Sequence, residues 1–263
     1  MGTVFISKNG KSIKIVNDGI DVIGKLQSCS GRKDGLSVFV DSSIGCNNMC
    51  SYCQLTKEER QYIKIDNNLW IKTFDELINQ FNETDIHLKF MGQGDAFSEV
   101  DDTIKRIEMV KSKYNVKSVS LSTILPSDTR ADIPKLLNYR NNDGTYYKFY
   151  ISLGSCIPSK RKEIFPSAID LETTFSIFKE FNIHPKTHWT ISDDMDIENE
   201  LENFPIKLLR YTDIRIIPYN NFNTGKTDIK NLKNVKEFFK VKNIYYDILP
   251  VIAPDINASC GMF

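Results

Sequence analysis

The sequence predicts an α/β chain, a partial (β/α)6 TIM-like barrel preceded by a small N-terminal β hairpin extension. Three observations lead there. Short β-rich runs alternate with helical patterns from residue 36 onward, polar and glycine-bearing loops follow the strand runs, and 263 residues with 41% hydrophobic content can bury a full core. Alternation of this kind calls for parallel strands joined by right-handed crossovers, because each strand must be followed by an element that returns the chain to the same sheet edge. Six such units suit a partly open barrel better than a closed eight-unit one. The expected organisation is residues 1–35 as the extension and 36–263 as the core with its C-terminal tail.

In order, "TVFIS" and "SIKIV", joined through "KNG", form the hairpin. The run "LSVFVD" (36–41) is the first barrel strand. In "TFDELINQF", Thr73 and Glu76 form a capping box while Phe74, Leu77, Ile78 and Phe81 share a face, which predicts a helix. Strand "IHLKFM" follows, then a helix around Val100, Ile104, Ile107 and Val110, strand "VKSVSLS", a helix near 130–138, and strand "YKFYISL". A helix around Leu171, Phe175 and Phe178, strand "THWTIS", a helix between about 196 and 209, and strand "DIRIIP" complete six units. The helix "IKNLKNVKEFF" and the strand "IYYDILPVI" precede the tail. Ligands of such barrels meet the C-terminal strand ends, where the sequence places residues 41–56, "MGQGD" (91–95), "STILP" (122–126), "SLGSC" (152–156) and "PYNNF" (218–222).

Charge is balanced, 34 basic against 34 acidic residues, so no whole-molecule field advertises a nucleic-acid partner. The basic runs at 105–117, 159–163 and 230–242, and the acidic run at 192–202, read as solvated helix faces. No apolar run approaches the ~20 residues that span a bilayer, and the N-terminus lacks a charged head followed by an apolar stretch, so a cytoplasmic protein with no membrane partner is expected. Six cysteines, at 29, 46, 50, 53, 156 and 260, do not form a secreted disulfide pattern; clustered thiols in a reducing compartment more often hold metal.

Cys46, Cys50 and Cys53 lie within eight positions in "DSSIGCNNMCSYCQLT". Structural zinc is normally closed by four ligands, so a zinc reading needs Cys29 or Cys156 to complete the set. Three thiolates on a four-iron four-sulfur cube instead leave one iron without a protein ligand, free to chelate a small molecule through an amine and a carboxylate. The C-x3-C-x2-C spacing, with Tyr52 before the last cysteine and a strand leading in, resembles the cluster loop of the radical S-adenosylmethionine superfamily.

From about residue 10 to the end, the chain resembles the catalytic part of the radical methyltransferases that modify C2 or C8 of adenine in large-subunit ribosomal RNA and, for some members, transfer RNA. "SSIGCNNMCSYC" is similar to their cluster loop; "ISLGSCIPSKRKEIFP" keeps a Ser-Leu pair followed at fixed distance by Arg161, Glu163, Ile164 and Pro166; "IIPYNNF" and "DINASCG" match two further elements in the same order. The resemblance implies a [4Fe-4S] cluster on Cys46, Cys50 and Cys53, with S-adenosyl-L-methionine met by Gly94, Asp95, Ser122, Ser152, Leu153 and Asn220. It implies Cys260 as a catalytic cysteine that carries the methyl group, an RNA or nucleotide acceptor, and a reducing partner such as flavodoxin or ferredoxin.

Departures from the family are as informative. Its resolving cysteine, seven residues before the first cluster ligand, is Phe39 here. Its upstream acid falls at Ile23, with Asp21 close by; its Ser-Leu-His histidine is Gly154; and its helical accessory domain is expected to be missing. Cys29 or Cys156 is therefore the candidate stand-in for the resolving thiol, Cys156 the more attractive because it follows Gly154 in a loop expected to face the site. Two other readings stay open: direct use of the 5′-deoxyadenosyl radical on a small-molecule, nucleotide or peptide substrate, and a cluster-binding protein without catalysis.

Overall fold

A computed structural model describes residues 2–26, 35–81, 83–210, 212–219, 229–249 and 254–256. Among the described residues ten strands form one sheet in sequential order. β1 (Thr3–Ile6), β2 (Ser12–Asn17) and β3 (Ile20–Lys25) run as an antiparallel meander, and β3 pairs antiparallel with β4 (Leu36–Val40). From β4 onward every pairing is parallel, through β5 (Asp85–Phe90), β6 (Asn115–Thr123), β7 (Tyr146–Ser152), β8 (Lys186–Ile191), β9 (Ile214–Pro218) and β10 (Tyr246–Ile248). The six expected units are present. The extension carries a third strand, β3, that joins the hairpin to the barrel sheet, and β10 adds a seventh parallel strand.

Residues alternate between the two faces along each strand. On the outer face Ile86, Leu88 and Phe90, Val119 and Leu121, and Phe149 and Ile151 build the larger core with Trp70, Phe74 and Leu77 of α2 (Asn67–Ile78) and with Val100, Ile107 and Val110 of α3 (Val100–Lys111). A second core gathers around Trp189, Ile191, Ile214 and Ile216, under Val235 and Phe239 of α9 (Asn231–Lys242).

Local chemistry corrects several element boundaries. α2 starts at Asn67, where Asp66 accepts from the amides of Asn68 and Leu69. Thr73 is not a cap: it is fully buried mid-helix and donates to the Leu69 carbonyl one turn back. The helix expected over 196–209 is two, Ile197–Glu202 (α7) and Ile206–Leu209 (α8). Pro205 has no amide to continue the ladder, and Phe204 turns inward onto Trp189, ring centroids 5.7 Å apart. Two basic runs are not wholly solvated: Arg106 has no exposure and Arg161 little.

Removing the α2 cap should cost about 1 kcal/mol. Asp66→Ala is expected to lower the melting temperature by roughly 2–4 °C, given the size of the chain. An unchanged midpoint in a thermal unfolding scan would show that Asp66 does not hold the helix start.

Candidate active site

The cluster loop leaves β4 at Asp41 and is fastened from three sides. Below it, the fully buried Asp41 carboxylate accepts from the Asp21 amide at 2.7 Å, the Gln93 amide at 2.7 Å and Gln93 Nε2 at 3.0 Å. Burial pushes the Asp41 carboxyl well up, with neighbouring Asp21 adding to the rise. Gln93 in turn accepts from the Ser42 amide on its carbonyl at 2.8 Å and from the Gly45 amide on Oε1 at 3.1 Å. From behind, Arg106 donates to the Ser42 carbonyl at 2.7 Å and the Ile65 carbonyl at 3.2 Å. From the far side, the Ser51 amide donates to the Ile164 carbonyl at 3.0 Å, and Ser167 Oγ donates to Asn48. Sequence reasoning missed Asp41, Gln93 and Arg106. The signals were a glutamine between two glycines in "MGQGD" and an arginine falling on the buried face of an amphipathic helix.

The loop so held presents Cys46, Cys50 and Cys53 as free, half-buried thiols. Burial pushes Cys46 up to about 12, with the Asp95 and Cys53 charges adding and the Asn48 amide, 3.5 Å from Sγ, opposing. Burial raises Cys50 as well, with the Cys46, Cys53 and Asp95 charges adding to the rise. Cys50 and Tyr52 lie against the small apolar cluster of Ile124, Phe165 and Ala168. Among the described residues no three His, Cys, Asp or Glu side chains converge on a single ion.

Gly94 and Asp95 are brought against this loop. Gly94 has φ +78°, and a Cβ there would stand 2.2 Å from Ser43 Oγ, so the close approach of the two loops depends on glycine. Asp95 is buried, and its two oxygens accept from the Phe97 amide at 2.9 Å and the Ile124 amide at 3.1 Å, which ties the β5 end to the β6 end. Burial pushes its carboxyl up to about 6 against these donors. A carboxylate has about four lone-pair positions, so Asp95 retains capacity for an ammonium. Ser122 and Ser152 occupy alternate positions on the inner face of β6 and β7, in register with Tyr150 and His188. A cavity of about 220 Å³ opens between Tyr52, Lys57, Gly154, Thr190 and Tyr219, its wall braced by a 2.8 Å bond from Lys57 Nζ to the Tyr219 hydroxyl.

Other sequence-selected residues lie differently. Leu153 is fully buried in the second core, its amide donating to the His188 carbonyl and its carbonyl accepting from Ser155, so its side chain does not face the strand-end cavity. Cys156 is buried in that same core beside Glu200, and burial followed by that carboxylate pushes its thiol far up. That is opposite to the thiolate a resolving cysteine needs. It faces the Arg161 and Asp170 side of the β7 loop rather than the cluster cavity. Phe39 and Ile23 are direct cross-strand partners and form one apolar patch with Met91 and Ile256. Gly154 has φ +69°, and a Cβ would stand 2.3 Å from the Phe165 ring, so a histidine has no room there. Asn220, Cys29 and Cys260 lie outside the described residues.

No family model matches the chain. Among curated proteins, the probable dual-specificity RNA methyltransferase RlmN of Phocaeicola vulgatus is 22% identical over 256 residues, covering 88% of this chain and 67% of that protein. Its counterpart in Flavobacterium johnsoniae is 24% identical over 251 residues, covering 84% and 67%. Over most of its length the chain is thus similar to the RlmN methyltransferases. Among solved structures, a radical SAM methyltransferase from Sphaerobacter thermophilus superposes with a TM-score of 0.71 at 16% identity, over 99% of this chain and 79% of that one. The chain therefore shares the barrel fold of that methyltransferase structure. The donor set would suit a [4Fe-4S] cluster and S-adenosylmethionine: three free thiols on a loop fastened at both ends, and a buried carboxylate beside them with spare acceptor capacity.

Gly94→Ala should add ~1–2 kcal/mol of backbone strain and force the two loops apart. Iron per chain after anaerobic reconstitution is expected to fall well below wild type, and full iron loading would show that the contact with Ser43 is dispensable.

Proposed function

We propose that this protein is a radical methyltransferase acting on an adenine-like aromatic carbon of RNA or a nucleotide. The observation that carries the reading is the loop of Cys46, Cys50 and Cys53 clamped by Gln93, with Asp95 beside it at the strand ends. The three thiolates would hold the cluster and leave one iron for the amine and carboxylate of the cofactor. Bound there, the cluster and S-adenosylmethionine supply a 5′-deoxyadenosyl radical and a methyl group. Asp95 would orient the ammonium through a charge-assisted bond, and Gly94, Ser122 and Ser152 would help to hold the cofactor. Cys260 would accept the methyl group of the cofactor on its sulfur, giving up the thiol proton and releasing S-adenosylhomocysteine, and so would carry the carbon destined for the ring. A low-potential donor such as flavodoxin or ferredoxin in a reducing cytoplasm provides electrons. No helix among the described residues is long and apolar enough to cross a membrane.

A second reading has its own support. Two positions where the resemblance expects a resolving thiol and an acid carry Phe39 and Ile23, packed as cross-strand neighbours. An apolar pair cannot break a protein–substrate bond or take a proton, so the radical could act on the substrate directly, with no methyl carried on the protein.

Triple replacement of Cys46, Cys50 and Cys53 by Ala should abolish both the brown absorbance and deoxyadenosine formation; zinc bound in place of iron in the wild type would defeat the reading. Asp95→Asn should weaken cofactor binding about 10-fold or more with iron content unchanged. Methyl-labelled cofactor separates the two readings: label on wild-type protein and none on Cys260→Ala supports the methyl carrier, whereas turnover in wild type with no protein label selects direct radical chemistry.

A further inference from the structure

Two buried guanidiniums serve the cluster loop, and their surroundings differ. Arg106, behind the loop, bonds through all three nitrogens, its Nε donating to Asn67 at 2.8 Å, and Asp102, Glu99 and Asp41 supply negative charge around it. Arg161, on α5 (Pro158–Ile164), is provided for less fully. Its Nη1 donates to the Ile169 carbonyl at 2.8 Å and its Nη2 reaches the Ser152 carbonyl at 3.5 Å, while Nε is buried without a hydrogen-bond partner. Among the described residues Arg161 joins no ion pair. Asp170, the acid it senses most, is exposed and already accepts from the Thr173 amide at 2.8 Å as the cap of α6 (Leu171–Glu180). Burial pulls Arg161 down to about 10, with Asp170, Cys50 and Tyr52 opposing, so the group stays charged at neutral pH. A cation kept that far from water is costly unless negative charge stands near it.

The cluster loop can supply that charge. The Arg161 guanidinium lies 5.4 Å from the centroid of the buried Phe165 ring, the Tyr52 ring meets the same ring edge-on at 5.6 Å, and Cys50 packs on the apolar cluster that Phe165 forms with Ile124 and Ala168. Arg161 and Cys50 therefore share one apolar neighbour. Their spacing is fixed by main chain: the Ser51 amide, next after Cys50, donates at 3.0 Å to the carbonyl of Ile164, the last residue of α5. Charges that face each other through packed apolar side chains are screened far less than charges in water. We propose that Arg161 is the counter-charge of the iron–sulfur cluster, a fixed cation that favours the reduced cluster and so sets its reduction potential. The inference rests on the radical-enzyme reading for the presence of the cluster. The step concerned is a one-electron transfer: a low-potential donor is oxidised, the cluster gains one negative charge, and no bond or proton moves. A neighbouring cation lowers the energy of the more negative state, and local charge and burial are among the levers that set such potentials. An arginine suits the role because it does not lose its proton when buried.

Potentiometric titration of the anaerobically reconstituted holoenzyme, followed by electron paramagnetic resonance, tests this. Arg161→Gln should disfavour reduction about 10-fold, which for a one-electron couple is a fall of ~59 mV in the midpoint. Arg161→Lys, which keeps the charge and loses the planar fork, should lie closer to wild type than to the Gln variant. Lys162→Gln removes a charge from the next residue, which is exposed, and should leave the midpoint where it was, because water screens it. Iron content and far-ultraviolet circular dichroism verify that each variant is loaded and folded. Iron lost from the Gln variant and kept by the Lys variant would also support a counter-charge. An unchanged midpoint in Arg161→Gln, an equal fall in Arg161→Lys, a like fall in Lys162→Gln, or loss of iron from both Arg161 variants would each overturn the proposal, the last by assigning Arg161 to the structure of the loop. Wild-type deoxyadenosine formation is measured in parallel. A wild-type protein without a cluster overturns both readings. A cluster that does not cleave the cofactor defeats the radical reading and leaves the potential result standing, whereas an unchanged Gln midpoint with normal cleavage defeats this inference alone.

Discussion

The Asp41–Gln93 contact is the constraint on which the site depends. One buried carboxylate takes three hydrogen bonds, one from β3 and two from the loop after β5, and the glutamine it fixes reaches across to hold the cluster loop by its main chain. Putting an ionised group there carries a large desolvation cost, and only a full complement of donors makes it tolerable. Paired this way, the position of Cys46 follows from the ends of β4 and β5 instead of from the loop's own preferences. Arg106 completes the arrangement by occupying carbonyls the loop would otherwise leave unsatisfied behind it. A binding loop supported by rigid elements keeps its geometry, and ligation by three separate side chains needs that.

The two faces of the sheet divide the work. The outer face supplies apolar burial against helices, in cores centred on Trp70 with Phe74 and on Trp189 with Phe239. The inner face gives up that stabilisation for serines, lysines, histidines and an arginine. Such a trade is tolerable in a chain of this size because the outer cores are extensive.

Much of this was legible in the sequence. The parallel units showed because strands buried on the outer face alternate with helices of period 3.6, and the cluster loop showed because three thiols at that spacing have few other uses. β3 did not show, since "IDVIGK" is short, follows a two-residue turn, and was read only for its acid. Arg106 and Arg161 hid in basic runs, where nothing but tertiary packing distinguishes a buried guanidinium from a solvated one. Cys156 looked site-facing by its distance from Gly154, yet the left-handed turn at Gly154 sends the chain back into the core, where Glu200 accepts from the Cys156 amide at 2.6 Å. The polar inner face was present as alternate residues in "HLKF", "YKFYIS" and "IRIIP".

The central claim is that Cys46, Cys50 and Cys53 hold a cluster with one iron open to the cofactor. Electron paramagnetic resonance of the reconstituted, dithionite-reduced protein tests it most directly. A [4Fe-4S] signal whose line shape changes when S-adenosylmethionine is added is the expected result; a signal indifferent to the cofactor, or a protein that takes up zinc and no iron, would contradict the account.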